Sequence, residues 1–259
     1  MNHKRFFTII AIAAMCTLSY TCKKDKDDKE KNFEWEPEMV LVEVGTFTIG
    51  CADNECLVNE LPAHQVTLTK SYYIGKYEVT QAQWKAVMGD NPSLYKGDDQ
   101  PVECVNWDDV QTFIAKLNEM TGKSYRLPTE AEWEFEARGG NQSKGCKYSG
   151  SDNIDDVAWY GAAAGGNSGK STHTVGIKQP NELGIYDMSG NVWELCSDWD
   201  GVYSDEAQTD PQGPTVGSKR VTRGGSFAYG TMYCRVAYRS NSDPSSVASN
   251  RGFRIVLPL

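Results

Sequence analysis

Apolar residues recur at helical spacing in three stretches of the chain, each placed between a capping residue and a glycine. These stretches are 80–89, 106–122 and 129–139. Thr80, Asn106 and Thr129 can each accept a hydrogen bond from the first helical turn, and glycine suits the left-handed end of a helix. Because periodicity and capping agree, the pattern predicts three helices.

Two further patterns complete the predicted fold. Residues 39–49 alternate between apolar and polar positions, which is typical of a half-buried strand at the start of a domain. After Gly140 helical periodicity is weak and Gly, Asn, Ser and Asp are frequent, which indicates long loops. The 24 Gly, 10 Pro and 11% aromatic residues argue against a helical bundle. We therefore expect one loop-rich domain of the α+β class.

The charge of the chain excludes two classes of partner. Lys and Arg number 26 against 35 Asp and Glu, which gives a formal net charge of −9. A negatively charged surface repels the phosphates of nucleic acids and an anionic membrane face. We expect no nucleic-acid partner, and contact with a membrane through an anchor only.

The N-terminal segment predicts export. Residues 1–21 combine a basic start with a short apolar core, which is typical of a secretory signal and too short for a lasting membrane span. Cys22 follows and resembles the acylated cysteine of bacterial lipoproteins. The charged run 22–37 is similar to the surface-export signal of Bacteroidetes lipoproteins, the alternative being an ordinary solvated linker, and 38–259 would be the domain. This predicts a lipid-anchored protein of the bacterial envelope, in the outer membrane and displayed outward.

Six cysteines lie in the predicted domain. An even number in an exported chain favours disulfides over free thiols. Cys51 and Cys56 enclose a short acidic loop and form a plausible local pair. The sequence does not choose among the other pairings.

The segment 187–194 has the composition of a calcium-binding loop. Asp187 and Glu194 flank Gly190, and the backbone carbonyls of Gly190 and Val192 can turn inward between them. Ca²⁺ prefers such oxygen ligands. Spacing alone is a weak indication of such a site, because acidic loops are commonly just solvated.

Four motifs in order along the domain resemble the formylglycine-generating enzyme family, also called the sulfatase-modifying factor family. They are RLPTEAEWE at 126–134, NELGIYDMSGNVWE at 181–194, RGGSF at 223–227 and NRGFR at 250–254. The resemblance implies a variant of the C-type lectin fold with little regular secondary structure. It also implies calcium ligands at four positions, which are Asp187, Gly190, Val192 and Glu194. A second calcium site of the family uses an Asn that is missing from 157–160.

The resemblance also bears on catalysis. Enzymes of the family hold copper(I) between two cysteines five residues apart, just after Gly-Gly-Ser. Here Tyr229 stands at the first position, and Cys234 is the candidate for the second. Because copper(I) needs two thiolates, we expect neither copper nor formylglycine generation, and Cys234 would be catalytic only in an altered centre. In relatives without the pair, cysteines at these places look like disulfide partners, which implies a Cys196–Cys234 disulfide.

The C-terminal segment 226–250 is the remaining candidate for function. Its Tyr, Ser and Asn residues offer amphipathic contact area and adaptable hydrogen bonds, as in antibody paratopes. It also resembles the variable end of proteins that retroelements diversify on the same scaffold. The residues expected to bind are Tyr229, Thr231, Tyr233, Tyr238, Asn241 and Asp243. The alternative is that they are ordinary polar loop residues.

These observations favour a non-catalytic binding or accessory module of the envelope, whose partner is a protein or a small ligand. The alternative is an oxidoreductase of the family that acts on a protein cysteine through an altered metal centre. Stoichiometric copper(I) binding, or activity on a peptide with the sulfatase motif, would favour the alternative.

Overall fold

A computed structural model describes residues 35–52, 55–161 and 165–259. The predicted signal segment 1–21, Cys22 and most of the predicted linker lie outside the described residues. Within the described ranges, no helix has the length and apolar character that crossing a bilayer requires.

Short strands and helices alternate with long loops. The strands are β1 (Met39–Val42), β2 (Gly45–Ile49), β3 (His64–Leu68), β4 (Tyr72–Gly75), β5 (Trp193–Trp199), β6 (Gln208–Thr209), β7 (Arg220–Arg223), β8 (Arg239–Ser242), β9 (Arg251–Gly252) and β10 (Val256–Pro258). The helices are α1 (Gln81–Met88), α2 (Trp107–Thr121), α3 (Glu130–Ala137) and α4 (Ile154–Val157). This mixture confirms the predicted loop-rich α+β class.

The three predicted helices are present. In α1, α2 and α3 the predicted capping residue accepts a hydrogen bond from the amide three positions on, at 2.9–3.3 Å. The first two helices end at Gly89 and Gly122, both left-handed, and Gly139 follows α3 in the same conformation. The single turn of α4, capped by Asn153, was not predicted.

The strands form three small sheets. The first has the order β1-β4-β10 and is antiparallel, and the second has the order β2-β3-β6. The third has the order β8-β7-β5-β9, with β5 antiparallel to β7 and parallel to β9. In this third sheet the calcium-type motif runs into β5, and only β7 separates β5 from β8 of the C-terminal segment.

Two large apolar clusters form the core. One packs β1–β4 against α3 and includes the fully buried Trp133. The other packs α1 and α2 against residues 253–257, and in it the Trp84 ring stacks on Phe113 with centroids 5.2 Å apart. Trp35 packs on this second cluster, and Glu36 accepts a hydrogen bond from Lys123 at 2.5 Å. The folded unit thus includes the last residues of the segment that the sequence assigned to the linker.

Buried ion pairs hold the part of the chain that lacks long helices. The pairs are Glu60–Arg235, Glu130–Arg239, Glu134–Arg223 and Glu194–Arg254. Their side chains are at most 7% exposed. The partners lie 60 to 175 residues apart in the sequence, so each pair ties an arginine of residues 223–254 to an earlier element. Removing one partner of such a pair leaves an uncompensated buried charge, which is strongly destabilising.

Candidate functional site

Four aromatic rings meet where β5 begins and the C-terminal segment turns. We call Trp193, Tyr229, Tyr233 and Tyr238 the aromatic cluster. Ring centroids lie 5.6 Å apart for Trp193 and Tyr229, and 5.8 Å apart for Trp193 and Tyr238. Tyr233 lies 5.0 Å from both Tyr229 and Tyr238, so the four rings form a closed circuit. Contacts at these distances stabilise aromatic pairs beyond their area of burial.

The aromatic cluster is buried on the side of Trp193 and exposed to solvent on the side of the tyrosines. Trp193 is 7% exposed, whereas Tyr229 is 40% exposed and Tyr233 and Tyr238 are partly exposed. Tyr233 lies in a short 3-10 turn, which packs against the left-handed Gly225. A side-chain carbon at Gly225 would come within 2.8 Å of the Tyr233 carbonyl, so the close approach requires glycine. The backbone therefore presents the tyrosines on a fixed support.

A groove of about 620 Å³ lies beside the aromatic cluster. It is lined by Tyr95, Lys170, Phe227, Ala228, Val247, Ala248, Ser249 and Asn250. Most of these residues belong to the predicted binding segment, and the Trp193 amide donates to the Asn250 carbonyl at 2.8 Å. The groove therefore adjoins the cluster through this hydrogen bond and through Ala228, which precedes Tyr229.

The structure separates the six residues that the sequence proposed for binding. Tyr229, Tyr233 and Tyr238 meet in the aromatic cluster, and Thr231 is exposed between the first two. Asn241 instead donates to Asp200 Oδ2 at 2.7 Å. Asp243 accepts hydrogen bonds from the amide and hydroxyl of Ser245 at 2.8 and 2.6 Å, which stabilise its own turn. These last two residues do not join the other four.

Sequence reasoning missed three parts of this surface. Trp193 lies in the motif 187–194, whose Gly and Glu residues led to the prediction of a metal site. An aromatic residue at the start of a strand can also form part of a binding surface. Tyr95 and Lys170 reach the groove from distant loops, and only the fold brings them there.

The predicted calcium loop buries its first carboxylate without satisfying it. Asp187 Oδ2 accepts a hydrogen bond from the Gly176 amide at 2.7 Å. Its Oδ1 is buried and has no hydrogen-bond partner in the part of the chain that is described. Burial raises the pKa of the Asp187 carboxyl to about 6, and the charge of Glu194 adds to the effect. A cation beside Oδ1 would compensate both costs.

Glu194 is already engaged. Its two oxygens each accept a hydrogen bond from Arg254 at 2.6 Å, and Oε2 also accepts one from Trp133 Nε1 at 2.7 Å. Glu78 is a third carboxylate here and accepts from the Asn191 side chain at 2.6 Å. Burial raises the pKa of Glu78, and the charges of Asp187 and Glu194 raise it further. Three buried carboxylates thus share one guanidinium.

The donors fit calcium in part. Asp187 supplies an unpartnered oxygen, and Asp187, Gly190 and Asn191 are left-handed, as a loop that turns its carbonyls needs. No group of three or more His, Cys, Asp or Glu side chains is arranged for a metal within the described ranges. An ion would therefore depend on Asp187 with the Gly190 and Val192 carbonyls more than on Glu194.

Of the two predicted disulfides, one is present and the other is not. The Cys51–Cys56 disulfide is present, with Cα atoms 5.4 Å apart, which confirms the local pairing. The expected Cys196–Cys234 disulfide is wrong, because both residues are free thiols. Cys196 packs in the cluster around α3, whereas Cys234 packs with Tyr148 in a separate small cluster. The two sulfurs therefore belong to different parts of the core.

Cys234 has the surroundings of a core thiol. It is fully buried, and burial raises the pKa of its thiol to about 12. Burial likewise raises the pKa of the Cys196 thiol. A soft metal ion binds cysteine as the thiolate. Because both thiols stay protonated at neutral pH, neither supplies a thiolate for such an ion.

The fold and its motifs define the class of protein. Residues 24–259 match the FGE-sulfatase family, described as a sulfatase-modifying factor enzyme 1-like domain, and the chain belongs to this family. The resemblance drawn from the four motifs is thereby confirmed.

Several known proteins are similar to this chain. "Chaperone protein LppX" of Paenibacillus barcinonensis is 33% identical over 97% of both chains. The formylglycine-generating enzyme of Streptomyces coelicolor is 37% identical over 68% of this chain, which covers 58% of that enzyme. Among solved structures, "Treponema denticola variable protein 1" has a TM-score of 0.77 at 34% identity and covers 85% of this chain and 95% of its own.

Proposed function

We propose that this protein is a non-catalytic binding module of the bacterial envelope, and that its partner contacts the aromatic cluster and the adjoining groove. The observation that carries the proposal is the closed circuit of four rings, three of them reaching the surface. Tyrosine and tryptophan provide large contact areas at a low cost in conformational entropy, and they dominate binding hot spots.

A protein segment is the proposed partner. The relative from Paenibacillus barcinonensis is named a chaperone, and its similarity extends over nearly the full length of both chains. The solved relative from Treponema denticola is named a variable protein. The groove adjoins the aromatic cluster. Its lining includes Phe227, Lys170 and Asn250, so it offers both apolar and polar contacts to a peptide.

The surroundings of Cys234 support a function without copper chemistry. Its thiol is buried and protonated, and Tyr229 occupies the position where family enzymes carry the other cysteine. The chain also covers only about three fifths of the formylglycine-generating enzymes of Thermomonospora curvata and Streptomyces coelicolor. A site with one inaccessible thiol does not suit the two-thiolate geometry.

Two further assignments belong to the same proposal. Cys22 would carry the lipid that anchors the protein, and the linker would hold the domain away from the membrane. Ca²⁺ would bind at Asp187 with the Gly190 and Val192 carbonyls, and it would supply positive charge to a loop with three buried carboxylates. Its role there would be structural, because the loop leads directly into β5 and Trp193.

Panning of a random peptide library displayed on phage tests the binding proposal. We expect peptides that bind the wild-type domain and bind the Tyr233→Ala variant about 30-fold more weakly, since a central tyrosine is worth about 2 kcal/mol at a hot spot. Tyr73→Ala, a partly exposed tyrosine of β4, is the matched control and should bind normally. Both variants are checked by thermal melting.

Two results would count against the proposal. One is enrichment of peptides that bind Tyr233→Ala as well as the wild type. The other is stoichiometric copper(I) binding together with conversion of cysteine to formylglycine in a peptide carrying the sulfatase motif, which would favour the oxidoreductase alternative.

A further inference from the structure

A second cavity lies where the end of β5 meets the start of α3 and the loop 200–214. Its volume is about 540 Å³. Four of its lining residues are titratable and at most 6% exposed, namely His64, Glu130, Asp198 and Arg239. Several buried ionisable groups around one accessible cavity are typical of a ligand site. None of them belongs to the aromatic cluster or to the calcium loop.

Two of these four groups neutralise each other. Arg239 donates to both oxygens of Glu130, at 2.5 and 2.7 Å. Its remaining nitrogen donates to the Asn59 and Gly201 carbonyls, and its guanidinium lies 3.9 Å from the Tyr203 ring centre. The Glu130–Arg239 pair is therefore internally satisfied and adds no net charge to the cavity.

Of the other two groups, His64 has its Nδ1 atom 3.2 Å from the Pro62 carbonyl oxygen, and Asp198 is the carboxylate without a hydrogen-bonded counter-ion among the described residues. Its Oδ2 accepts hydrogen bonds from the Glu130 amide and the Ser197 hydroxyl, both at 3.0 Å. Its Oδ1 accepts no hydrogen bond from the residues that the structure describes. Gly213 faces this oxygen, and a side-chain carbon there would lie 3.2 Å from it, so the glycine leaves space open in front of Oδ1.

The Arg220 guanidinium, whose charge acts on Asp198, is held by other groups. The Arg220 guanidinium lies between the rings of Trp107 and Trp199, 3.9 and 3.5 Å from their centres. Its Nη1 donates to the Ser197 carbonyl at 2.6 Å. Its charge therefore acts on Asp198 from a fixed position without filling the cavity.

We infer that this cavity binds a primary ammonium group, with Asp198 as its counter-ion. A buried carboxylate with a free oxygen forms its strongest hydrogen bond with a charged donor. The polar side chains of Gln208 and Thr209 line the same cavity and can bind the rest of such a ligand. The ammonium group comes from a free diamine or from a lysine side chain of another protein.

The electrostatics of Asp198 agree with this geometry. Burial raises the pKa of its carboxyl to about 7, and the charges of Glu130 and Glu132 add to the effect. An ammonium ligand binds the ionised form, so its affinity rises as pH rises through this value. Between pH 6 and pH 8 we expect about a tenfold gain in affinity.

Calorimetric titration with three probes tests the inference. Cadaverine and N-acetyl-lysine amide represent the two sources of the ammonium group, and 1,5-pentanediol is the neutral match for cadaverine. We expect one or both amines to bind, the diol not to bind, and Asp198→Asn to weaken amine binding at least tenfold. Asp200→Asn removes a partly exposed carboxylate two residues away and should bind like the wild type.

Amide shift mapping on the wild-type protein keeps the inference testable if Asp198→Asn fails to fold. Binding of the amine should shift the amide resonances of Glu130 and Gly213. Equal binding of the diol, shifts confined to other surfaces, an affinity independent of pH, or no binding of either amine at millimolar concentration would each overturn the inference.

Discussion

The variant Glu194→Gln tests whether the main role of this residue is to pair with Arg254 or to bind a metal ion. Both side chains are fully buried, and two contacts of 2.6 Å join them. Gln keeps the size of the side chain and one acceptor oxygen but removes the charge. The Arg254 guanidinium would then stay buried without its hydrogen-bonded carboxylate, while the charges of Glu78 and Asp187, neither of which accepts a hydrogen bond from it, would still act on it.

The expected loss follows from this geometry. Removing one partner of a buried ion pair costs roughly 3–5 kcal/mol. In a domain of this size, each kcal/mol lowers the melting temperature by about 2–4 °C, so we expect a decrease of roughly 6–20 °C. Thermal unfolding followed by circular dichroism measures it, once in EDTA and once in millimolar calcium.

Glu38→Gln is the control for loss of a carboxylate in general. Glu38 is 67% exposed and pairs with Lys76 at 3.0 Å, so its loss should cost less than about 1 kcal/mol. The ion-pair reasoning predicts a large loss for Glu194→Gln in both solutions. A loss under about 1 kcal/mol in EDTA, with a large loss only in calcium, would refute it and identify Glu194 as a metal ligand.

Two more predictions concern calcium and the buried thiols. If Ca²⁺ binds at Asp187, EDTA lowers the melting temperature of the wild type and Asp187→Ala abolishes the difference, whereas a wild type insensitive to chelator would contradict the site. If Cys234 is a core thiol, titration of native protein with a thiol reagent gives the same result for the wild type and Cys234→Ser, and the variant shows one thiol fewer only in denaturant. Rapid reaction of Cys234 in the native protein would contradict its burial.

Local signals account for what the sequence predicted well. The helices α1, α2 and α3 begin at the predicted capping residues because the hydrogen bond that Thr80, for example, accepts from the Gln83 amide spans only three positions. The Cys51–Cys56 disulfide is likewise local, because its partners are five positions apart in the sequence. Interactions of this kind depend on neighbouring residues, and the pattern of the chain shows them directly.

Distant partners explain what the sequence did not predict. Every residue of α3 is buried, including Glu130 and Glu134, although a helix with four Glu is typical of a solvated surface. The arginines that neutralise these two residues come from β7 and β8, about 90 to 110 positions later. The Cys196–Cys234 disulfide, which the resemblance to relatives implied, is wrong because it also depends on distant packing. In this chain the two residues pack in different clusters.

The C-terminal segment contains residues that face the core and residues that face solvent. The two sets can therefore be substituted separately. Arg235 and Arg239 point inward to Glu60 and Glu130, whereas Tyr233 and Tyr238 reach the surface beside them. The inward residues hold the backbone through buried ion pairs, so we expect a substitution at an outward tyrosine to cost less stability than one at an inward arginine. Under the proposed function, substitutions at the tyrosines would then change what is bound while the scaffold stays folded. The same division explains how a segment with so little regular secondary structure can present a rigid surface, since its order comes from buried charge pairs rather than from helices.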